Sequence, residues 1–353
     1  VETNPSTHLS DGLKNVELEF LRLAISPEKP EGPWKEQWTA LLSERNQVGR
    51  KLNTALNYDP FARMAEKGRL ETNVKDEIRS VEHSREIGLF RHAFFVDTHP
   101  YQISGARIDT QLGIALATAY EWIQQGAEAK TDDFHFSFAQ GREYLLEIAK
   151  LRAFRELWPY FLNEIGLEPS KDVAFVSACS SDRHFSASDP HGNLLRLTTM
   201  AMSSILGGAQ NVMLSQHHLK KTHRKEHHLP LNILHLLRFE GRLDKLNDPL
   251  AGSYSIESLT QQIAELGWKA FRSIEAEGGL LHSLEEGRLQ ARIAEEAKKE
   301  QQAFDAGERP VIGSNLYPYF LSESSDDNNA ASALEDIGLN RLAANAEKEN
   351  LPS

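Results

Sequence analysis

Between Lys171 and His184 the chain reads KDVAFVSACSSDRH, an apolar run that ends in Ser177, Cys179, Ser180, Ser181, Asp182, Arg183 and His184. Hydroxyls, a thiol, a carboxylate, a guanidinium and an imidazole this close together are the parts of a nucleophilic or acid–base site. The apolar run suits a buried strand, and in α/β chains reactive groups sit where strands end, on loops a sheet holds rigid. Three neighbours in sequence rarely converge as a serine triad does, however, and G-x-S-x-G is absent. Cys179, the only cysteine, is read more simply as a small buried apolar residue.

A second concentration of chemistry is the island His217, His218, His223, His227, His228 and His235. His223 and His227, four apart, would share a helix face. Their surroundings, KKTHRKEHH, supply cations and only Glu226 as an acidic ligand, whereas metal sites gather His with carboxylates or Cys. The expectation is no metal, and a solvated basic loop that faces phosphate or an acidic partner. His99 and His135 each end or line a strand and are read as structural. Neither G-x-x-x-x-G-K-[ST] nor a strand-borne G-x-G-x-x-G occurs, and Gly207 and Gly208 fall at a helix end.

The 353 residues carry a formal charge of -12, which opposes wholesale binding to nucleic acid or an anionic membrane. One cysteine permits no internal disulfide. No apolar run approaches the roughly 20 residues a membrane span requires, and VETNPSTHLS lacks the features of a signal peptide. A cytoplasmic location is expected. The opening Val hints at a fragment or a processed product.

Positioning these residues falls to an alternation of strands and helices. Residues 1–15 read as a polar lead-in, and Val16–Ile25, LNTALNY, Arg91–Val96, Asp133–Phe138, the apolar part of KDVAFVSAC and Asn211–Leu214 as six strands. Helices are predicted over Trp34–Asn46, Pro60–Lys67, 72–87, Ala106–Gln125, Arg142–Ile165 (kinked or broken at Pro159), Gly192–Leu206, Leu231–Arg238, Ile256–Glu277 and Leu280–Ala306. DTHPYQISG reads as a loop. About 40 residues per βα unit favours a (β/α)8 TIM-barrel-like α/β fold over residues 16–320. With six strands instead of eight, it would be incomplete at the N-terminus. Residues 321–353, containing SESSDDNN, read as a polar linker or tail.

From Asp248, DPLAGSYSIESLTQQIAELGWKAFRSIEAEGGL resembles the D-P-x-x-G-S-x-x-x-E-x-L-T … I-E-x-x-G-G segment of methylmalonyl-CoA mutases. HPYQISGARIDTQLGIALATAYEWI is similar to Y-H-x-Q-E-A-G-A and its helix, EIAKLRAFRELW to E-V-A-K-L-R-A-A-R-x-L-W, and GGAQNVML to G-G-T-Q-S-L-H. LNYDPFARMAEKG resembles L-x-x-D-P-I/L of the family's small subunits. The resemblance covers roughly residues 50–320 and implies a barrel that threads coenzyme A, followed by a flavodoxin-like cobalamin domain, with adenosylcobalamin starting a radical rearrangement of methylmalonyl-CoA and succinyl-CoA.

Carried over residue by residue, the resemblance implies a changed site. The histidine of R-T-H-S-Q-T-S-G-W falls on Ser177, and the carboxylate-binding arginine of R-L-S-F-F-W-G on His135. Gln102 matches the pocket glutamine, and Asn232 is what remains of A-R-I-A-R-N-T-Q. Asp182, His184 and Ala187 come near the cobalamin motif D-x-H-x-x-G, but inside a barrel segment, where the match is coincidence.

The expectation is therefore a non-catalytic small subunit beside a catalytic large mutase subunit. It would have no flavodoxin-like domain, catalytic residue, metal or cofactor of its own, and adenosylcobalamin would be held elsewhere in the complex. Acyl-CoA is a further candidate partner. The alternatives are a diverged acyl-CoA mutase subunit whose cobalamin comes on a separate chain, and a metal- or polyanion-binding module built on the histidine island.

Overall fold

The computed structural model describes residue 13 and residues 16–20, 23–45, 47, 52–68, 73–87, 89–127, 130–168, 174–219, 228–318 and 341–344. Its backbone is a run of parallel strands in sequence order, with helices between them: β1 (Leu23–Ile25), α1 (Pro33–Glu44), β2 (Thr54–Leu56), α2 (Pro60–Lys67) and α3 (Val74–Glu86). Then come β3 (Phe94–Asp97), α4 (His99–Ile103), α5 (Ile108–Gln124), β4 (Phe134–Gln140), α6 (Tyr144–Glu164) and β5 (Phe175–Ser180). α7 (Pro190–Leu206), β6 (Asn211–Met213), α8 (His228–His235), α9 (Tyr254–Ala276), α10 (Leu280–Glu285) and α11 (Arg288–Asp305) follow, before two short strands, β7 (Ile312–Gly313) and β8 (Leu316–Pro318).

β3, β4, β5 and β6 form one parallel sheet in that order, and β1 pairs with β2 in parallel. A bridge from Ala55 to His92 carries the array from β2 to the approach of β3. Sequential parallel neighbours joined by helices are the local grammar of an α/β barrel. Among the described residues no strand joins β6 back to β1.

β4 explains the rest of the core. All seven residues of FHFSFAQ are buried, as expected of a central parallel strand covered on both faces. Alternation sends Phe134, Phe136 and Phe138 towards α6, where they meet Phe154 and Trp158 at 4.5–5.4 Å between ring centroids. It sends His135 and Ser137 to the opposite, inner face. On β3, Phe94 packs on Trp122 of α5 at 5.2 Å, leaving Phe95 inside.

α9 lies across α5 and α6 at close range. A Cβ on Gly113 would sit 2.7 Å from the Ala270 Cβ, and one on Gly267 2.8 Å from the Leu112 Cβ. The turn entering α9 is clamped by Arg152 of α6, which pairs with Asp248 and binds Glu257 at 2.8 Å. Glu257 in turn accepts the Gly252 N–H.

Several local expectations change. Val16–Ile25 is a strand only over its last three residues, and Leu18–Phe20 form a 3-10 turn. DTHPYQISG contains the short helix α4, begun by Pro100, whose fixed φ suits a first turn. Leu280–Ala306 is two helices, because Gly287 takes φ 71° between them. α6 runs through Pro159 unbroken, flanked by the stacked rings of Trp158 and Phe161. α8 starts and ends before the predicted span and passes into a π-helical turn, Leu236–Glu240. His223 and His227 lie outside the described residues, as does most of 321–353. Residues 341–344 dock: the Leu342 N–H donates to the Arg183 carbonyl, and Leu342 and Ala343 join Phe304 and Val311 in a small core.

Candidate functional site

Two polar regions lie on this scaffold, one on the inner sheet face and one over the C-terminal strand ends. On the inner face His135 and Ser177 meet: His135 Nε2 is 2.6 Å from Ser177 Oγ, and the residues are 0% and 1% exposed. Register places Ser137, not His135, opposite Ser177, so the bond runs diagonally between β4 and β5. Around it the His135 ring contacts Phe95 at 4.9 Å and Phe175 at 4.6 Å, and Phe175 stacks on His92 at 4.7 Å. Burial pushes the His135 imidazole down to about 3, so it is neutral near pH 7.

A neutral imidazole whose Nε2 meets a hydroxyl cannot act as the fixed cation that binds a carboxylate. Ser177, given to His135, is likewise no imidazole acid. With Phe95, Phe175 and His92 they form a buried cluster on the inner face.

Towards the strand ends the face becomes polar. Asp97 closes β3 and binds the His99 N–H, while Asp59, the N-cap of α2, accepts N–H groups from Phe61, Ala62 and Asp97. Burial raises both carboxyls, Asp59 to about 7. Cys179 is 3.9 Å from Ser137 Oγ, and burial pushes its thiol up to about 12, which makes it a poor nucleophile.

The Ser–Asp–His parts do not assemble as a triad. Ser180 bonds Ser215 at 2.9 Å, Ser181 caps the turn holding Asp182, and Asp182 receives the Ser215 hydroxyl. His184 turns away to Glu300 of α11, with Nε2 and Oε1 3.2 Å apart.

That turn opens the second region. A cleft of about 730 Å³ runs between the starts of α5 and α6 beneath α11, with Gln102, Gly141, Glu147 and His184 among its lining residues. Glu300 is the hub of one wall: it binds His184, Arg183 at 2.8 Å and Arg309 at 3.1 Å, and, although burial acts to raise it, His184 and Arg183 hold its carboxyl below the usual range. Burial lowers the His184 imidazole against the opposing effect of Glu300. On the floor Glu147 accepts the Gly141 N–H at 2.9 Å and pairs at 2.5 Å with Lys150, a fully buried cation that also donates to Gln111.

The structure therefore joins His135 to Ser177 and separates both from Gln102. Gln102 stands beside Gly141, just past the end of β4, and His135 is six residues lower, about 20 Å along the strand. Asn232 is exposed on α8, a helix packed on α7. Of the histidine island, His217 is buried and its ring lies 4.2 Å from that of His218. Sequence reasoning missed Gly141, Glu147, Glu300 and Arg309, and Glu300 sits in a charged helical run that reads as a solvated face.

No group of three or more His, Cys, Asp or Glu side chains among the described residues could hold a metal ion. No described helix is long and apolar enough to cross a membrane. Asp182 and His184, the nearest approach to a cobalamin-ligand motif, do not fit that role, since Nε2 is engaged by Glu300 and the ring is 6% exposed.

Sequential parallel strands, helical crossovers and polar strand ends define an α/β protein whose parallel sheet is compatible with a TIM-barrel-like domain. The chain belongs to the methylmalonyl-CoA mutase family, whose sequence profile, described as "Methylmalonyl-CoA mutase", matches residues 9–348. It is 29% identical to the methylmalonyl-CoA mutase small subunit of Porphyromonas gingivalis over 317 residues, 84% of this chain and 51% of that protein. It is 27% identical to the small subunit of Streptomyces virginiae over 357 residues, 98% of this chain and 57% of that one. To the large subunit of Streptomyces virginiae it is 28% identical over 254 residues, 68% and 35%. The chain spans about half the length of the small subunits it matches.

Proposed function

We propose that this chain forms the barrel of a small, non-catalytic mutase subunit that supports a catalytic large subunit. The large subunit would interconvert methylmalonyl-CoA and succinyl-CoA with adenosylcobalamin, the cofactor the family uses, bound outside the residues described. The observation that carries the reading is the His135–Ser177 bond within its layer of rings. The resemblance puts the family's carboxylate-binding arginine and carbonyl-facing histidine at these two positions. Here His135 Nε2 and Ser177 Oγ are bonded to each other and both residues are buried, which supports a site without that cation. Matches to both a small and a large subunit of one organism support pairing with a large subunit, through an interface of the obligate kind.

The test is co-purification with a large mutase subunit, followed by turnover assays with adenosylcobalamin and methylmalonyl-CoA on the separate chains and on the complex. A stable complex is expected, with no turnover from this chain alone. Turnover by the isolated chain, or failure to associate, overturns the reading. Selective binding of a different acyl-CoA in calorimetry would favour instead a diverged mutase subunit that takes its cobalamin from another chain.

A further inference from the structure

Residues 341–344 dock on a satellite of the fold. Leu342 and Ala343 bury themselves against Phe304, at the end of α11, and Val311, just before β7, and these four form a cluster apart from the main core. The two walls of this groove are tied together without help from the tail. Asn315 accepts the Val311 N–H at 2.6 Å and donates to the Phe304 carbonyl at 2.8 Å. At the rim, the carbonyls of Arg183 and Phe185 take the Leu342 N–H and Arg341 Nη1, both at 3.0 Å. Residues 319–340, which join the docked segment to β8, lie outside the described residues.

The rim carbonyls belong to the turn that holds α11. Arg183 Nε binds Glu300 at 2.8 Å and its Nη1 binds the Ile103 carbonyl at 3.1 Å, while His184 meets the other oxygen of Glu300. Phe304 lies about one turn beyond Glu300 on the same helix. The docked segment therefore bridges the same turn and helix end that the Arg183–Glu300 pair joins. The middle of α11 has anchors of its own: Glu296 accepts the Arg107 N–H and the Thr110 hydroxyl, and Ala297 seats against Gly105. Loosening would thus be confined to the last turns, where Glu300 and Ala303 form part of the cleft wall. Two buried apolar side chains and a few bonds to rim carbonyls, set apart from the main core, make a unit that can come away without global unfolding.

We propose that residues 341–344 are a releasable clip. Docked, they hold the last turns of α11 against the Asp182–His184 turn and keep that wall of the cleft closed; on release those turns loosen and the wall opens. The proposal does not rest on the subunit reading, since every contact it uses lies within this chain.

Amide hydrogen exchange on the full chain, corrected for intrinsic rates, tests it. In the unaltered chain the Leu342 amide, bonded to the Arg183 carbonyl, should be protected about a hundredfold less than the Phe136 amide in the middle of β4. In Leu342→Asp the amides of Gln301–Asp305 should exchange about fivefold faster, with those of β4 unchanged. An excess of a peptide of residues 338–346, GLNRLAANA, should restore them, and the same peptide with Asp in place of Leu342 should not. Equal protection of Leu342 and Phe136 overturns the proposal, because the segment then opens only with the whole fold. So does unchanged exchange at the end of α11 in a folded Leu342→Asp chain, or a rise that β4 shares. A peptide that restores nothing overturns it too. The first measurement needs no variant and stands even where Leu342→Asp fails to fold.

Discussion

Lowering the pH should expose the cost of keeping His135 neutral. The ring is 0% exposed, between Phe95 and Phe175, and burial holds its pKa at about 3, against about 6.5 in an unfolded chain. Above pH 6.5 the ring is neutral in both states and contributes no slope. Below it the unfolded chain binds a proton the folded chain refuses, so stability falls by about 1.4 kcal/mol per pH unit until the folded pKa is reached. By pH 5 the loss from this residue is about 2 kcal/mol. His135→Gln keeps a partner for Ser177 and cannot titrate. Urea unfolding of both proteins between about pH 7.5 and 5 measures the stability gap between them. That gap should be constant above pH 6.5 and shift by about 2 kcal/mol against the histidine protein by pH 5. Parallel pH profiles would refute the placement of a neutral imidazole in this layer.

Lys150→Met should cost about 3–5 kcal/mol, because it strands the Glu147 carboxylate in the core. The double variant Lys150→Met/Glu147→Gln should recover more than half of that in urea melts, and no recovery would mean that the cost is packing alone. Arg152→Ala should cost less, about 1 kcal/mol, since Asp248 and Glu257 are largely solvated. Its signature is local: amide exchange from Asp248 to Glu257 should quicken about fivefold while the exchange of β4 is unchanged.

Much of the fold was legible because its signals are local. β3 to β6 are apolar runs bounded by turns, and the amphipathic pattern of α5, α6 and α9 fixes their buried faces before any partner is known. The errors have local causes as well. VELEF alternates like a strand, yet only Leu18 of Leu18–Phe20 is buried, so its alternation marks no sheet face. A helix drawn through Gly287 ignored the residue best suited to end one. The site was less legible because its pairings span the chain. His184 meets Glu300 across 116 residues and His135 meets Ser177 across 42, and no window around either residue encodes the partner.

The motifs that carry the family resemblance do structural work in this chain. In EIAKLRAFRELW, Glu147 and Lys150 form the buried pair under the cleft, and Arg152 clamps the DPLAGS turn. Arg155 holds the Gly208 carbonyl and Gln210, and Trp158 packs on Phe134 and Phe136. In GGAQ, Gly208 takes φ 86° beside Arg155, and Gln210 bonds the backbone of β5 at Val176. Gly105 of QISGA lets α11 approach, since a Cβ there would lie 2.5 Å from that of Ala297. None of these contacts involves His135 or Ser177. The groups that hold helices to strands are therefore separable from those that would face a substrate, and substitution at the inner face leaves the scaffold's own bonds intact.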